Sequence, residues 1–365
     1  MPTLDKITVS NFRNIEFQEL EFSPNVNCIS GNNGEGKTNL LDAIYYLSMT
    51  KSAFAASDRF NFRHGTDSFS ICGTYRMPNG LSAKFAVHSS AQGEKKLKKD
   101  EKAYERISEH IGTLPIVMVS PSDISLVSES GEERRKFVNS VLSQMDREYL
   151  NAAQQYNRLL AQRNRMLKGR NPDRELVGVF NERMSGYAEA IYKARKAFIG
   201  DLTPIVAEYY RLLSGGSEQV DIGYRSDLEK GSLVEILESC IDKDMVLGYT
   251  SAGTQRDDFI FTMDGHPIRR CGSQGQQKSF IVSLKFAQYE LMKSSYGFAP
   301  VLLLDDVFDK LDMNRIANLL SMVASNDFGQ IFITDSNKVR LSGILDGLTT
   351  DRAYFETSHG CFTKL

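Results

Sequence analysis

The sequence predicts an α/β fold, a mixed sheet with helices, whose two halves flank an inserted, mainly helical lobe. Three observations predict it. Gly31-Asn32-Asn33-Gly34-Glu35-Gly36-Lys37-Thr38 has the spacing G-x-x-x-x-G-K-S/T between a short strand-like run and an amphipathic helix. Val301-Leu302-Leu303-Leu304 is wholly apolar and runs into Asp305-Asp306, as expected of a buried central strand that delivers carboxylates at its end. Between these, the pattern changes to long helical periodicity near residue 120 and back to strands near residue 245. Residues 1–120 and 245–365 are therefore expected to form one domain, and 121–244 the lobe.

Each element has its own signal. Leu4-Asp5-Lys6-Ile7-Thr8-Val9 and Ile15-Glu16-Phe17 roughly alternate, and Asn25-Val26-Asn27-Cys28-Ile29-Ser30 makes a short strand. Leu40, Ala43, Ile44 and Leu47 then follow at helical spacing. Segments 69–76 and 82–88 read as antiparallel strands joined by the turn Pro78-Asn79-Gly80, and Leu114-Pro115-Ile116-Val117-Met118-Val119 as a buried strand. Within 151–170, Tyr156, Leu159, Leu160, Met166 and Leu167 share one helix face. Strands are expected again at 258–262, 301–304 and 330–333.

Composition narrows the class. With 365 residues, 41% apolar and 25% charged, the chain can bury a substantial core in two domains. A net charge of −2 excludes a general polycation, so any nucleic-acid contact must be local. Five scattered cysteines without C-x-x-C spacing argue against a disulfide framework and structural zinc. The N-terminus lacks the apolar core of a signal peptide, and no apolar run is long enough to span a bilayer; a cytoplasmic location is expected.

The chemistry follows from the two motifs. A glycine loop entering a helix turns backbone N–H groups, and the positive end of the helix dipole, toward a phosphate. Gly31, Asn32, Asn33, Gly34, Glu35, Gly36, Lys37 and Thr38 are thus expected to hold ATP, with Lys37 neutralising β/γ oxygens and Thr38 ligating Mg²⁺. Glu35 places a negative charge in this loop and is expected to point away from the phosphates. Asp305 is expected on Mg²⁺, and Asp306 to orient or deprotonate the attacking water.

These residues, with the Ser-x-Gly-Gln stretch at Ser273-Gln274-Gly275-Gln276, resemble the ABC-type P-loop ATPase heads. Within that group the chain resembles the RecF family of bacterial recombination and repair proteins. The resemblance rests on Phe12-Arg13-Asn14, Gly36-Lys37-Thr38-Asn39-Leu40-Leu41, Ser120-Pro121-Ser122-Asp123, Arg134-Arg135-Lys136-Phe137 and Tyr156-Asn157-Arg158-Leu159-Leu160. It implies an ATP-dependent homodimer in which one copy's P-loop meets residues 273–277 of the other, with Ser273, Gly275 and Gln276 against the γ-phosphate. It also implies DNA binding at single-stranded gaps and junctions, partnership with RecO and RecR in loading RecA, support of the SOS response, and weak DNA-stimulated ATP hydrolysis. No membrane partner is implied.

Several assignments stay open at this point. Arg13 is either a nucleotide contact, as in related heads, or a surface arginine. Asp123 either senses metal or water, or caps a turn. Gly253-Thr254-Gln255-Arg256-Asp257-Asp258 departs from the family's Gly-Pro-His-Arg-Asp-Asp, losing the histidine. Asp309-Lys310 departs from the usual residues before Leu311-Asp312, weakening the case for contacts in trans through that loop. Thr334 or Asp335 stands where transporter ATPases carry a histidine. Arg158, Arg163, Arg165, Lys168 and Arg170 make a basic helix suited to DNA phosphates, an acidic partner or solvent, and Lys95-Lys96-Leu97-Lys98-Lys99 is a second cluster. Two rival readings are a non-hydrolysing ATP-gated adaptor and an ATPase subunit of another DNA-processing or transport complex.

Overall fold

A computed structural model describes residues 1–169, 173–216, 218–308, 312–324, 328–337 and 351–365. They form two units, Met1–Asp123 with Gln288–Leu365, and Ile124–Ala287. In chain order the elements are β1 (Thr3–Phe12), β2 (Ile15–Glu21), β3 (Val26–Ser30), α1 (Lys37–Met49), β4 (Ser68–Arg76), β5 (Ser82–Ser90), β6 (Lys95–Lys99), β7 (Lys102–Ala103) and β8 (Ile116–Val119). Then come α2 (Ser125–Ser128), α3 (Gly131–Met145), α4 (Arg147–Leu167), α5 (Arg174–Ser214), β9 (Val220–Arg225), α6 (Leu233–Ser239) and α7 (Ile241–Leu247). Last are β10 (Asp258–Met263), β11 (His266–Pro267), α8 (Ile268–Cys271), α9 (Gln274–Tyr296), β12 (Val301–Asp305), α10 (Met313–Ala324), β13 (Ile331–Asp335), β14 (Arg352–Ser358) and β15 (Cys361–Lys364).

The first unit is built on two six-stranded sheets. One has the order β15-β14-β3-β13-β12-β8 and is parallel except for β15. Its inner strands β12 and β13 are buried along their whole length, so their sequences are almost unbroken apolar runs. The other, β2-β1-β4-β5-β6-β7, is antiparallel and alternates, with one face in the core. Its β4–β5 hairpin turns at Gly80, whose φ of 79° suits glycine. Helix α1 buries Leu40, Leu41, Ile44 and Leu47 in one core with Val9, Phe69 and Ile71 of the antiparallel sheet and Ile29, Leu303 and Phe332 of the parallel one. That packing fixes the start of α1 just beyond the end of β3.

The second unit is mainly helical and also holds its own sheet, β11-β10-β9. Asp146 and Asp173 cap α4 and α5 through their carboxylates, and Gly215 ends the 41-residue α5 at φ 79°. Strand β10 pairs with β9 from Asp258↔Arg225 to Met263↔Val220. Residues 245–287, expected with the first domain, therefore belong to the second unit. The strand after Leu247 returns to the lobe's sheet, and the chain rejoins the parallel sheet only at β12.

Candidate nucleotide-binding site

Strand β3 ends at Ser30, the glycine loop follows, and α1 begins at Lys37. Three glycines shape the turn. Gly34 and Gly36 sit at φ 86° and 109°, the left-handed side, with Gly36 as the N-cap of α1. A Cβ on Gly31 would lie 2.6 Å from Thr357 Cγ2 and 2.7 Å from Thr357 O. The loop is also held from behind. Glu35 O accepts from Gly360 N at 2.9 Å, Thr357 Oγ1 at 3.2 Å and Asn14 Nδ2 at 3.3 Å, and the Glu35 carboxylate accepts from His359 N. The negative charge in the loop is thus engaged by the β14–β15 hairpin. No local signal in the sequence pointed to that support, which joins residues more than 300 positions apart.

Lys37 is almost wholly buried, and its Nζ donates to Gly31 O at 2.7 Å and Asn32 O at 3.1 Å. Thr38 Oγ1 lies 2.8 Å and 3.1 Å from the two oxygens of Asp305. Thr334 Oγ1 donates to Asp305 Oδ1 at 2.7 Å, and Asp306 N donates to Thr334 Oγ1 at 3.1 Å. Burial pushes the Asp305 carboxyl above its usual range, while the hydroxyls of Thr334 and Thr38 pull it down. Asp306 follows with φ 44°, an uncommon conformation for a residue with a side chain.

The donor set fits Mg²⁺. Thr38 and Asp305 offer hard oxygens in contact with each other, and burial with the neighbouring Asp306 charge holds the Asp305 carboxyl up, so a cation beside it would relieve the cost of burying its charge. The glycine-cradled helix start with Lys37 in its mouth likewise fits a polyphosphate.

Other expected site residues lie elsewhere. Residues 273–277 belong to the second unit, at the start of the 23-residue α9. Ser273 and Gln276 form a reciprocal cap: Ser273 N donates to Gln276 Oε1 at 2.7 Å, and Gln276 N to Ser273 Oγ at 3.3 Å. Gln276 Nε2 also reaches Glu218 Oε1 at 2.7 Å. Asp123 accepts from Ser120 N at 2.7 Å, closing the Ser-Pro-Ser-Asp turn. Arg13 is committed inside the first unit: it pairs with buried Asp42 at 2.6 Å and donates to Ser52 Oγ at 2.9 Å and Asn39 Oδ1 at 3.0 Å. A nucleotide contact by its guanidinium would have to share these bonds.

Arg163 needs correction as a DNA candidate. It is fully buried, paired with Asp244 at 2.8 Å and bonded to Asn181 and Thr250, because it falls on the inward face of α4. Arg158 and Arg165 of that helix, and Lys168 at its C-cap, are exposed. Lys95 is likewise committed, to Thr50 O and Asp58. Arg170 and residues 309–311 lie outside the described residues.

The remaining motifs build the lobe's polar core. Asp257 binds Arg195 and accepts from Tyr224 OH at 2.6 Å, and its backbone carbonyl accepts from Arg135 at 2.7 Å. Asp258 takes Arg134 at 2.9 and 3.2 Å. Gln255, in place of the family histidine, accepts from Tyr156 OH and donates to Ala252 O at 2.6 Å.

Comparison with known proteins accords with this geometry. The family model for the RecF/RecN/SMC N terminal domain matches residues 3–344. The chain is 41% identical over 363 residues to the DNA replication and repair protein RecF of Bacteroides fragilis, covering 99% of this chain and 98% of that one. The chain belongs to the RecF family. It is 42% identical over 357 residues to the RecF of Parabacteroides distasonis, covering 98% of each. A solved structure of the recombination mediator protein RecF-ATP in the RecFOR pathway is 30% identical, with a TM-score of 0.89 over 100% of this chain and 98% of that one. An Smc head domain from Pyrococcus furiosus, 14% identical with a TM-score of 0.58, shares the fold. The fold is thus the ABC-type ATPase head of the SMC and RecF proteins. Among the described residues no helix is long and apolar enough to cross a membrane.

Proposed function

We propose that this RecF-family chain is an ATP-dependent DNA-binding protein of recombinational repair and replication, with ATP as the ligand that joins two copies. The first unit acts as the ATPase head, and the second presents residues 273–277 to the P-loop of another copy. The observation that carries this reading is the contact of Thr38 with both oxygens of Asp305 beneath the glycine loop. Thr38 thus brings the start of α1, which carries the buried Lys37, against the buried Asp305, and this supports the reading as a nucleotide site.

In this reading Lys37 leaves the carbonyls of Gly31 and Asn32 for phosphate oxygens. Thr38 and Asp305 would hold Mg²⁺, which when bound would supply positive charge beside the phosphates. Asp306 orients the attacking water and accepts its proton. From the second copy, Ser273 and the first N–H groups of α9 meet the γ-phosphate, a second helix start aimed at an anion. Because ATP binds the dimer better than the monomer, it shifts the equilibrium toward the dimer, and slow hydrolysis releases it. By family resemblance, DNA at gaps and single-strand/duplex junctions, RecO and RecR are the partners, RecA loading and SOS support the outcome, and the cytoplasm the location. Arg158, Arg165 and Lys168 suit backbone contacts that weaken with salt.

Light scattering with no nucleotide, ADP and ATP tests the assembly. ATP should shift wild type to a dimer, and Ser273→Arg should stay monomeric. A Ser273→Arg chain that dimerises normally would overturn the trans site. Asp306→Asn should dimerise with ATP but not turn it over.

A further inference from the structure

The end of β13 lies beside the end of β12, with Thr334 opposite Asp305. Thr334 is fully buried, and its hydroxyl stands between the two acids. It donates to Asp305 Oδ1 at 2.7 Å and accepts from Asp306 N at 3.1 Å. A threonine hydroxyl has one proton to give, so giving it to Asp305 leaves only lone pairs for the Asp306 N–H. The order of donors is therefore fixed: Asp306 N–H to Thr334, then Thr334 and Thr38 to Asp305. Asp306 is also the residue that leaves the strand at φ 44°, and its N–H bond to Thr334 anchors that uncommon backbone. Asp335, the other polar residue at this strand end, uses Oδ1 to accept from Asn337 N at 2.8 Å.

We propose that Thr334 is a positioning residue of the ATP site, whose single hydroxyl aims Asp305 at the cation and fixes the backbone from which Asp306 reaches the water. This rests on the ATPase reading above. At this strand end the Thr334 hydroxyl touches the Asp305 carboxylate and the Asp306 backbone N–H. Thr334→Val keeps the shape and loses both bonds, the one to Asp305 and the one from the Asp306 N–H. Thr334→Ser keeps the hydroxyl.

The test uses the full chain as wild type, Thr334→Ser and Thr334→Val, with binding of a fluorescent ATP analogue measured in Mg²⁺ and in chelator. Thermal melting shows whether each variant is folded. In chelator all three should bind alike. Adding Mg²⁺ should tighten binding in wild type and Thr334→Ser, with about tenfold or more of that gain lost in Thr334→Val. Turnover by Thr334→Val should fall about ten- to a hundredfold, with Thr334→Ser restored. If Thr334→Val keeps the full Mg²⁺ gain, or loses binding equally in chelator, the proposal is overturned. Wild type that gains affinity from Mg²⁺ without turnover would remove the hydrolysis reading, and the binding arm would still decide the role of Thr334.

Discussion

Two buried aspartates, one in each unit, are handled in opposite ways. Asp257 of the lobe is wrapped by Arg195 and Tyr224, with Arg135 on its carbonyl. Among the described residues, Asp305 of the head accepts hydrogen bonds from the hydroxyls of Thr38 and Thr334, and the Lys37 ammonium acts on it through space. Burial raises both carboxyls, but a fixed guanidinium opposes it at Asp257, while at Asp305 the hydroxyls are the principal opposing groups. On the function proposed above, the difference separates a carboxylate that holds a fold from one that would receive a cation. A buried charge with a paired guanidinium has its burial cost offset within the fold, whereas a carboxylate held chiefly by hydroxyls gains more from an added cation.

The comparison can be broken most forcefully at Arg195. Replacing it with leucine leaves Asp257 uncompensated and should cost about 3–5 kcal/mol in denaturant unfolding followed at the lobe. A change within about 0.5 kcal/mol would mean that Asp257 does not need the pair. Next comes a buried base in the head. His110 is buried, with Nε2 on Leu47 O at 2.6 Å, and burial lowers its imidazole to about 4. With the folded value below the unfolded one, near 6.5, the neutral form is favoured in the fold. Stability is full above pH 6.5 and falls by about 3 kcal/mol as pH drops toward 4. His110→Gln should flatten that part of the pH–stability curve; an unchanged slope would refute the assignment.

A smaller effect is expected at Arg13, which is partly exposed beside Asp42. Arg13→Met should cost about 2 kcal/mol, less than a fully buried pair. If it instead leaves stability alone and weakens ATP binding, its main role is with the nucleotide. The smallest effect on the fold is expected at Asp305 itself. Asp305→Asn should leave nucleotide-free stability within about 1 kcal/mol of wild type, since it removes a buried charge without a cation. It should nevertheless abolish the Mg²⁺-dependent gain in ATP affinity.

The same contrast explains what could be read in advance. The glycine loop and the acid pair are local patterns, each needing only a few consecutive residues and a change of periodicity, and their elements stand where expected. The lobe's ion pairs join residues far apart in sequence. Arg163 looked like part of a basic surface, although it follows Tyr156 and Leu159 on the apolar stripe and precedes Leu167 by one turn. That spacing was the available signal for burial, but its partner Asp244 is 81 residues away. Asp42, set among Leu40, Leu41, Ala43 and Ile44, gave a similar hint that a cation must reach α1, and Arg13 supplies it. The grouping of residues 245–287 with the lobe's sheet was not legible for a related reason. A strand pattern shows that β10 exists but not that its neighbour is β9.

The central claim is that this chain carries two halves of an ATP site that belong to different molecules of a dimer. It is tested most directly by mixing Lys37→Ala, which lacks a working P-loop, with Ser273→Arg, which lacks a working helix start. Each variant alone should fail to form ATP-driven dimers. Their mixture should regain both dimers and turnover, because a mixed pair holds one intact site made from the P-loop of one chain and residues 273–277 of the other. A mixture that stays as inactive and monomeric as its components would contradict the account.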